Sequence, residues 1–497
     1  MNTPATDFPQ APTVLGTLAS PRRLKTEVLG GLVVALALIP EALAFSVIAG
    51  VDPRVGLFSA FTMAVSIAFL GGRPAMVSAA TGAVALVIAP LVKEHGGSYF
   101  VAAVILAGII QILFGVLGVA KLLRFIPRSV MVGFVNGLSI LVFLAQLPEL
   151  ANVPWLVYPL LALALLIVFG LPRLTSAIPA PLVAIVVLTA ITASAAIRVP
   201  TVGDKGALPD SLPGLSLPDV PWTWDTLALI APFALAMACV GLLESLMTAK
   251  LVDDVTDTRS SKTREAIGQG GANIITGFFG GMGGCAMIGQ TMMNVKVAGA
   301  RTRISTFLAG AFLLILVLAA GDLVAMIPMA ALVAVMVFVC AATFDWHSIR
   351  PATLRRMPKS ETAVMVSTVA LVVATSNLAI GVGAGVLVAM VLFARRVAHF
   401  VTVARSVDDD GGTATYVVDG ELFFASSNDL YTQFQYAADP EKVVIDMGKS
   451  HLWDASTIAT LDAITDKYAR AGKTVEVTGL NEASEKMRAR LAGGFGA

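Results

Sequence analysis

Long apolar runs alternate with short polar breaks from about residue 29 to residue 397. Many of these runs are close to the length of about 20 residues that an α-helix needs to cross the hydrocarbon core of a bilayer. The pattern predicts an α-helical polytopic membrane domain with fourteen transmembrane segments. The predicted segments are 29–49, 55–70, 80–92, 100–119, 130–147, 155–171, 181–197, 227–246, 266–280, 290–298, 305–321, 324–342, 362–375 and 378–394.

The basic residues support this count, because Lys and Arg are enriched in loops on the cytoplasmic side of a membrane. Under the fourteen-segment topology most Lys and Arg residues of the loops fall on one side, which is also the side of both termini. We therefore expect a multi-pass protein of the bacterial inner (plasma) membrane with both termini in the cytoplasm.

The third and tenth segments are too short to cross a bilayer as regular helices. The third begins with the small residues 78–82, and the tenth follows a glycine cluster at 280–284. Short, glycine-interrupted segments at matching places in two halves point to an inverted repeat whose broken helices meet at mid-membrane. Glycines also mark loops or close helix contacts. The matching positions favour a repeat of seven plus seven segments, with half-helices in segments 3 and 10.

Two carboxyl groups lie well inside predicted segments. Glu41 follows Pro40, and Glu244 precedes Ser245; each lies in the first segment of its repeat. An ionisable group at membrane depth costs about 2.5–3.5 kcal/mol on insertion scales, so its presence suggests a function. We expect Glu41 to be the proton-coupling group. A structural role, in which a carboxyl group holds helices together by hydrogen bonds, is the alternative for both residues.

The starts of the two half-helices are the predicted anion site, because unpaired backbone N–H groups and the helix dipole attract negative charge there. Gln290 opens the tenth segment, and no Lys or Arg occurs in that segment before Lys296. Phe45, one turn after Glu41, either lines the same cavity or packs against lipid or other helices. The expected substrate-binding residues are Glu41, Phe45, Ala79, Ala80, Thr81, Glu244, Gly289, Gln290 and Thr291.

The composition changes at about residue 405, where a polar stretch is followed by frequent charged residues. Short β-branched or aromatic runs predict strands, and apolar residues at helical spacing between the last two runs predict a helix. We expect a cytoplasmic α/β domain. The predicted strands are 416–418, 422–424, 443–446 and 475–478, and the predicted helix carries Ile458, Leu461, Ile464 and Tyr468.

The composition narrows the function classes. Of the 497 residues 57% are hydrophobic and 13% are charged, and 34 Lys and Arg balance 33 Asp and Glu. This balance excludes the basic surface that a nucleic-acid binder needs. The three cysteines have no paired spacing, so we read them as small buried hydrophobic residues, and we expect no metal site, no cofactor and no enzymatic activity. The acidic run of Asp253, Asp254 and Asp257 is expected in a solvated loop.

Several motifs resemble the sulfate permease (SulP) family of anion transporters, bacterial relatives of the animal solute-carrier group that includes prestin. The resemblance covers nearly the whole chain. The motifs are Pro40-Glu41-Ala42-Leu43-Ala44, 241–246 (GLLESL), 268–273, 279–281, 299–303, and Asp446 with Asp454-Ala455-Ser456, the last of which resemble the STAS domain of sulfate transporters and anti-sigma-factor antagonists.

The resemblance implies a core bundle that moves against a gate bundle, a substrate held between the third and tenth helices, a homodimer, and anion substrates coupled to protons or sodium. Gln290 stands where many members have Arg, and Ala80 where many have Pro; the loss of the Arg makes divalent inorganic anions a poorer match. Ala455 replaces the serine that is often phosphorylated in the related antagonists.

The leading hypothesis is a secondary active transporter that carries a small carboxylate or dicarboxylate, similar to fumarate, in symport with a proton by alternating access. The alternatives are a sodium-coupled bicarbonate or sulfate transporter, with Glu244 and Thr248 holding the sodium ion, an uncoupled anion channel, and a sensor. The expected domains are a cytoplasmic segment 1–26, a transport domain 27–400, a linker 401–412 and a STAS-like domain 413–497.

Overall fold

The structure is a computed structural model that describes residues 12–118, 126–174, 180–206, 208–209, 211–215, 217–398 and 401–491. It divides into two compact units, Met1–Val386 and Leu387–Ala497, which are described separately. Parts of the predicted N-terminal segment and C-terminal domain, and the last residue of the fourth predicted segment, Val119, lie outside the described residues.

The first unit is helical, with two very short strands, and its two halves have the same order of elements: two helices, a short strand, a short helix, and further helices. The first half contains α1 (Val14–Leu18), α2 (Pro21–Ala49), α3 (Pro53–Leu70), β1 (Ser78–Ala79), α4 (Gly82–His95), α5 (Gly97–Val116), α6 (Arg128–Leu144), α7 (Val157–Gly170) and α8 (Ala180–Ser194). The second contains α9 (Trp224–Thr256), α10 (Lys262–Phe278), β2 (Cys285–Ala286), α11 (Ile288–Met292), a π-helical turn (Met293–Val297), α12 (Arg303–Ala319), α13 (Gly321–Ala325), α14 (Met329–Thr343), α15 (Pro351–Arg356), α16 (Lys359–Thr375) and the start of α17 (Leu378–Ala398). The residues of α17 from Leu387 onward belong to the second unit.

Each of the fourteen predicted segments overlaps one of these helices, the tenth with α11 and the π-helical turn, and α1, α13 and α15 are short additions. The long helix α2 begins at Pro21, inside the predicted N-terminal segment, because proline is favoured in the first helical turn. The count of fourteen membrane crossings stays a prediction. Six helices in the described part of the chain are long and apolar enough to cross a membrane: Pro21–Ala49, Pro53–Leu70, Gly97–Val116, Arg128–Leu150, Trp224–Thr256 and Leu378–Val397.

The helices pack in two groups. The core group consists of α2, α3, α4, α5, α9, α10, α11 and α12. The gate group consists of α6, α7, α8, α14 and α16. The groups meet where α2 packs against α8 and α14, and where α4 packs against α6.

A buried carboxylate fixes α2 to the start of α12. Glu27 accepts hydrogen bonds from the backbone N–H groups of Arg301 at 2.7 Å, Thr302 at 3.0 Å and Ser305 at 3.1 Å. These N–H groups belong to the first turn of a helix, where no carbonyl of the same helix can accept them. The Glu27 side chain therefore caps α12 from a different helix.

The acidic run after Glu244 is solvated only in part: Asp254 and Asp257 are exposed, as expected, but Asp253 is partly buried. Asp253 lies within the last turns of α9 and pairs with Arg73 at 3.0 Å and with Lys262 at 2.7 Å. The Arg73 side chain is 3% exposed. The ion pairs draw Asp253 inward, because an unpaired buried guanidinium would be costly.

The strands β1 and β2 pair with each other in antiparallel register, Ser78 with Ala286 and Ala79 with Cys285. They lead directly into α4 and α11. The pairing is tight: a Cβ added to Gly284 would lie 1.9 Å from the carbonyl oxygen of Ala79. A side chain at position 284 would therefore separate the two strands.

The second unit contains a four-stranded sheet in the order β3-β4-β5-β6, with β3 antiparallel to β4 and the other pairs parallel. The strands are β3 (Thr402–Val407), β4 (Thr413–Leu422), β5 (Lys442–Leu452) and β6 (Thr474–Thr478), and the helices are α18 (Phe424–Thr432), α19 (Ala455–Arg470) and α20 (Glu482–Leu491). The apolar stripe of α19, formed by Ile458, Leu461, Ile464 and Tyr468, is buried against this sheet, as its spacing predicts.

Two predictions for this unit were wrong. Residues 402–407, assigned to the linker, form β3, because a hairpin at 408–412 folds them back along β4. The predicted strand at 422–424 does not exist: Leu422 ends β4 and Phe424 begins α18. Ser426 caps this helix start by bonding to the backbone N–H of Phe423 at 3.0 Å.

A buried carboxylate in the second unit joins side chains from β3, β4 and α19. Asp439 accepts hydrogen bonds from Tyr416, at 2.7 Å, and from Tyr468, and it pairs with Arg405 at 2.8 Å. Burial alone would raise the pKa of Asp439, but the hydrogen bonds from Tyr468, Tyr416 and Arg405 outweigh it, so its pKa lies below the ordinary value. The ionised form of Asp439 therefore stabilises the folded domain.

We predict that Gly284→Ala destabilises the first unit. The added methyl group collides with the backbone of Ala79, and overpacking of this kind costs about 1–3 kcal/mol. The apparent melting temperature of the purified protein in detergent is expected to fall. In the control Gly383→Ala the added Cβ meets no atom within 4 Å, so its melting temperature should match the wild type; equal values for both variants would contradict the prediction.

We predict that the second unit loses stability in acid through Asp439. Because its folded-state pKa is lowered, the stabilisation is complete above the ordinary pKa of an aspartate and is lost as pH falls through the folded-state value. Hydrogen exchange of β4 and β5 in the full chain, corrected for intrinsic rates, measures this loss. Asp439→Ala leaves two tyrosine hydroxyls without their acceptor, which costs about 1–3 kcal/mol. The variant should show less protection and a weaker pH dependence, and an unchanged pH dependence would argue against this role.

Candidate functional site

The site lies where β1 and β2 end and α4 and α11 begin. Besides the β1–β2 pairing, the backbone N–H of Met287 donates to the carbonyl oxygen of Val77 at 2.9 Å. The backbone N–H of Val77 donates to the Thr291 hydroxyl at 3.0 Å. These bonds satisfy backbone groups at a point where no water is available in a bilayer. They also hold the N-terminal ends of α4 and α11 close together.

Glu41 projects from α2 toward the start of α11. It follows Pro40, which lies inside the helix and supplies no N–H donor. The Glu41 side chain is buried, and its Oε1 atom accepts a hydrogen bond from Nε2 of Gln290. The carboxyl group of one repeat thus contacts the half-helix of the other repeat.

Glu244 lies in a chain of hydrogen bonds that joins both half-helices. The Cys285 thiol donates to Oε2 of Glu244 at 3.0 Å, and it lies 3.1 Å from the Thr81 hydroxyl. The Thr81 hydroxyl also accepts from the backbone N–H of Val84 at 3.4 Å, as the N-cap of α4. Since the thiol hydrogen goes to Glu244, the Thr81 hydroxyl donates to the sulfur. The chain of bonds links the start of α4 to a carboxyl group on α9.

A cavity of about 500 Å³ lies between the core and gate groups, with both carboxyl groups in its wall. Its described lining contains no Lys, Arg or His. The core group contributes Ala37, Glu41, Phe45, Thr81, Gly82, Ala83, Glu244, Met287, Ile288, Gly289, Gln290, Met293 and Val297. The gate side contributes Phe134, Val135, Leu138, Ser139, Val142, Pro172, Ala180, Pro181, Phe338, Val339, Cys340, Ala342 and Thr343.

Six of the nine residues that we expected to bind substrate line this cavity: Glu41, Phe45, Thr81, Glu244, Gly289 and Gln290. The other three do not. Ala79 is buried in the β1–β2 pairing, and Ala80 is buried directly after it. The Thr291 hydroxyl is directed at the backbone of Val77. The pairing of β1 with β2 therefore keeps these three residues out of the cavity lining, and their contact with substrate stays a prediction.

Sequence reasoning missed two parts of the site. Cys285 was expected to be a small buried hydrophobic residue, but its thiol donates a hydrogen bond to Glu244. The same expectation was wrong for Cys239, which is exposed. The gate-side wall, represented by Phe134 and Phe338, looks like any other apolar segment in the sequence. Only the tertiary packing reveals which face of α6 or α14 lines the cavity.

The comparisons with known proteins agree with this architecture. Residues 24–155 and 149–368 match the Sulfate permease family, and residues 404–493 match the STAS domain. The chain is 50% identical over 469 residues to the Bacillus subtilis (strain 168) protein named "Putative sulfate transporter YbaR", which covers 94% of this chain and 97% of that protein. It is 27% identical over 500 residues to the "Bicarbonate transporter BicA" of a Picosynechococcus species, across 90% of this chain and 87% of that protein.

The fold is also that of a solved structure, the murine Solute Carrier 26 family member A9 anion transporter in the inward-facing state. The TM-score is 0.79 at 17% identity, with 98% of this chain and 92% of that chain covered. The expectation of a transporter instead of an enzyme is confirmed by these relatives. With a helical membrane unit, a C-terminal STAS domain and matches along most of its length, the chain belongs to the sulfate permease family of membrane anion transporters.

Proposed function

We propose that the protein is a secondary active transporter of the bacterial inner membrane that carries a small anionic carboxylate together with a proton by alternating access. The observation that carries this proposal is the position of Glu41: its buried carboxyl group lies in the cavity wall and is bonded to Gln290 at the start of a half-helix. Glu41 is the proposed proton-coupling residue.

Charge is the physical reason for the coupling. The first turn of a helix attracts an anion through its N–H groups and dipole. Glu41 and Glu244 oppose the same anion, and the described cavity lining contains no cationic side chain to offset them. Like charges about 4 Å apart repel by about 4 kcal/mol at an effective dielectric constant of 20. A proton on Glu41 removes one of these repulsions, so anion and proton bind best together.

The substrate follows from the same chemistry. A carboxylate or dicarboxylate needs hydrogen-bond donors, and the half-helix ends with Gln290 supply them without a fixed charge. Sulfate and bicarbonate are the second candidates, because the two curated relatives are named as transporters of these anions. The proposal of proton coupling through Glu41 is the same for each of these anions.

Sodium coupling through Glu244 and Thr248 has less support. The Thr248 hydroxyl donates to the backbone carbonyl of Glu244 at 2.8 Å, and the Glu244 carboxyl accepts from Cys285. Thr248 is fully buried and does not line the cavity, so it is not placed to hold an ion there together with Glu244. We further propose that the protein is a homodimer with both termini in the cytoplasm, as the family resemblance implies.

We predict that Glu41→Gln abolishes accumulation driven by a proton gradient, because the amide cannot take up and release a proton. The assay is uptake of labelled benzoate, fumarate, bicarbonate and sulfate into proteoliposomes, with and without an acid exterior. Wild-type protein should accumulate at least one of these anions when the exterior is acid. Glu244→Gln is the matched control and should keep its response to the gradient. Accumulation that persists in Glu41→Gln would remove Glu41 from the coupling role.

The same assay separates the alternatives. Replacement of sodium by choline at fixed pH should leave uptake unchanged, and a loss of uptake would favour sodium coupling. A steady anion conductance without accumulation against a gradient would favour a channel.

We predict that Gly289→Ala weakens anion uptake several-fold without a loss of stability. Gly289 lines the cavity and is exposed to it, and a Cβ at this position meets no protein atom within 4 Å. The methyl group would therefore occupy space beside the first-turn N–H groups that we propose for the anion. Gly170→Ala on α7 also adds a Cβ in open space, outside the cavity lining, and should transport like the wild type. Wild-type uptake by Gly289→Ala would place the anion elsewhere.

A further inference from the structure

The two sides of the cavity differ in chemistry. Its carboxyl groups, its amide and the N-cap hydroxyl all belong to the core group: Glu41, Glu244, Gln290 and Thr81. On the gate side the hydroxyl groups are those of Ser139 and Thr343. Ser139 donates to the carbonyl oxygen of Val135 at 2.9 Å, so its hydrogen is used within α6. Thr343 lies at the end of α14.

Apolar side chains make up most of the gate side, beside Ser139, Cys340 and Thr343. Phe134, Leu138 and Val142 follow each other at intervals of four residues, which places them on one face of α6. Phe338 and Val339 of α14 extend this surface. We call these five residues the gate wall.

The gate wall disfavours a compact hydrophilic anion. Sulfate and bicarbonate carry oxygen atoms that water hydrates on every side. At the half-helix ends, donors replace part of that water, but oxygen atoms facing the gate wall would lose their hydrogen bonds without compensation. A second carboxylate directed at the gate wall would suffer the same loss. The cost falls only if the side of the solute opposite its charge is apolar.

The volume agrees with a larger solute. A cavity of about 500 Å³ is within the range of about 300–1,000 Å³ found for sites that bind small organic molecules. A solute with hydrocarbon opposite its charged end would bury that hydrocarbon against Phe134, Leu138 and Phe338, and the hydrophobic effect favours this.

We propose that the substrate is a monocarboxylate with an apolar body, either an aromatic ring or an unbranched chain of medium length. Its carboxylate lies at the ends of the half-helices beside Gln290, and its body lies against the gate wall. This inference rests on the proposed function and narrows its substrate class. It does not depend on which ion drives transport.

The test is equilibrium binding of labelled benzoate to the full chain in detergent, at one pH and without any gradient. Unlabelled hexanoate should displace benzoate at concentrations at least about tenfold lower than acetate, fumarate, sulfate or bicarbonate. Benzamide, which has the ring without the charge, should not displace it. The proposal is overturned if benzoate does not bind saturably, or if sulfate or fumarate displaces it as well as hexanoate does. Because no gradient is present, a failure of proton coupling would leave this result unaffected.

Variants of the gate wall link binding to the proposed surface. Leu138→Asn keeps a similar side-chain size and makes it polar, and we expect about tenfold weaker benzoate binding with no weakening of sulfate binding. Leu215→Asn makes the same exchange at an exposed position outside the cavity lining; it is the matched control and should bind like the wild type. Val339→Thr provides a second, nearly isosteric variant whose hydroxyl can bond to its own helix, and a several-fold loss is expected. Melting temperatures report folding. Wild-type benzoate affinity in folded Leu138→Asn and Val339→Thr would overturn the assignment.

Discussion

The structure of the transport unit depends on how the backbone is satisfied where two helices are interrupted inside the membrane. A chain that leaves the helical form there must find partners for its N–H and C=O groups without water. The strands around Ala79 and Cys285 solve this problem by pairing with each other. Because each strand is only two residues long and leads into a helix, the pairing fixes two helix N-termini beside one cavity. Gly284 allows the approach, since any side chain there would meet the Ala79 carbonyl.

The arrangement has an electrostatic consequence. Two converging helix N-termini provide a region of positive potential built from backbone dipoles, which cannot change their charge. The side chains added to it in the described lining are carboxyl groups, Glu41 and Glu244, and no cations. Under the proposed function, the helix ends supply a constant attraction for the anion, and a carboxylate in the lining opposes the anion only while it is ionised.

Much of the helical framework could be predicted from the sequence, because run length and the rarity of charges at membrane depth are local properties. Glu41, Glu244 and both half-helices were found in this way. Partners that depend on packing were not: the sequence shows Thr291 at a helix start, but only the pairing with Val77 determines where its hydroxyl points. The same applies to β3, which pairs with β4 across a turn, and to Asp253, whose buried partner Arg73 is distant in sequence. The gate wall has no sequence signal, since all predicted segments are apolar.

The identity of residue 290 connects the substrate site to the proposed coupling. An Arg at this position would form an ion pair with Glu41 and favour its ionised state. Gln290 has no charge, and its amide can donate to a carboxylate or to the carbonyl oxygen of a protonated carboxyl group. The contact between the half-helix and α2 can therefore persist in both protonation states. Under the proposed function, Gln290 brings no fixed charge to this contact, and the backbone dipoles remain the main attraction for the anion. A site of this kind suits a solute that brings one negative charge and an accompanying proton.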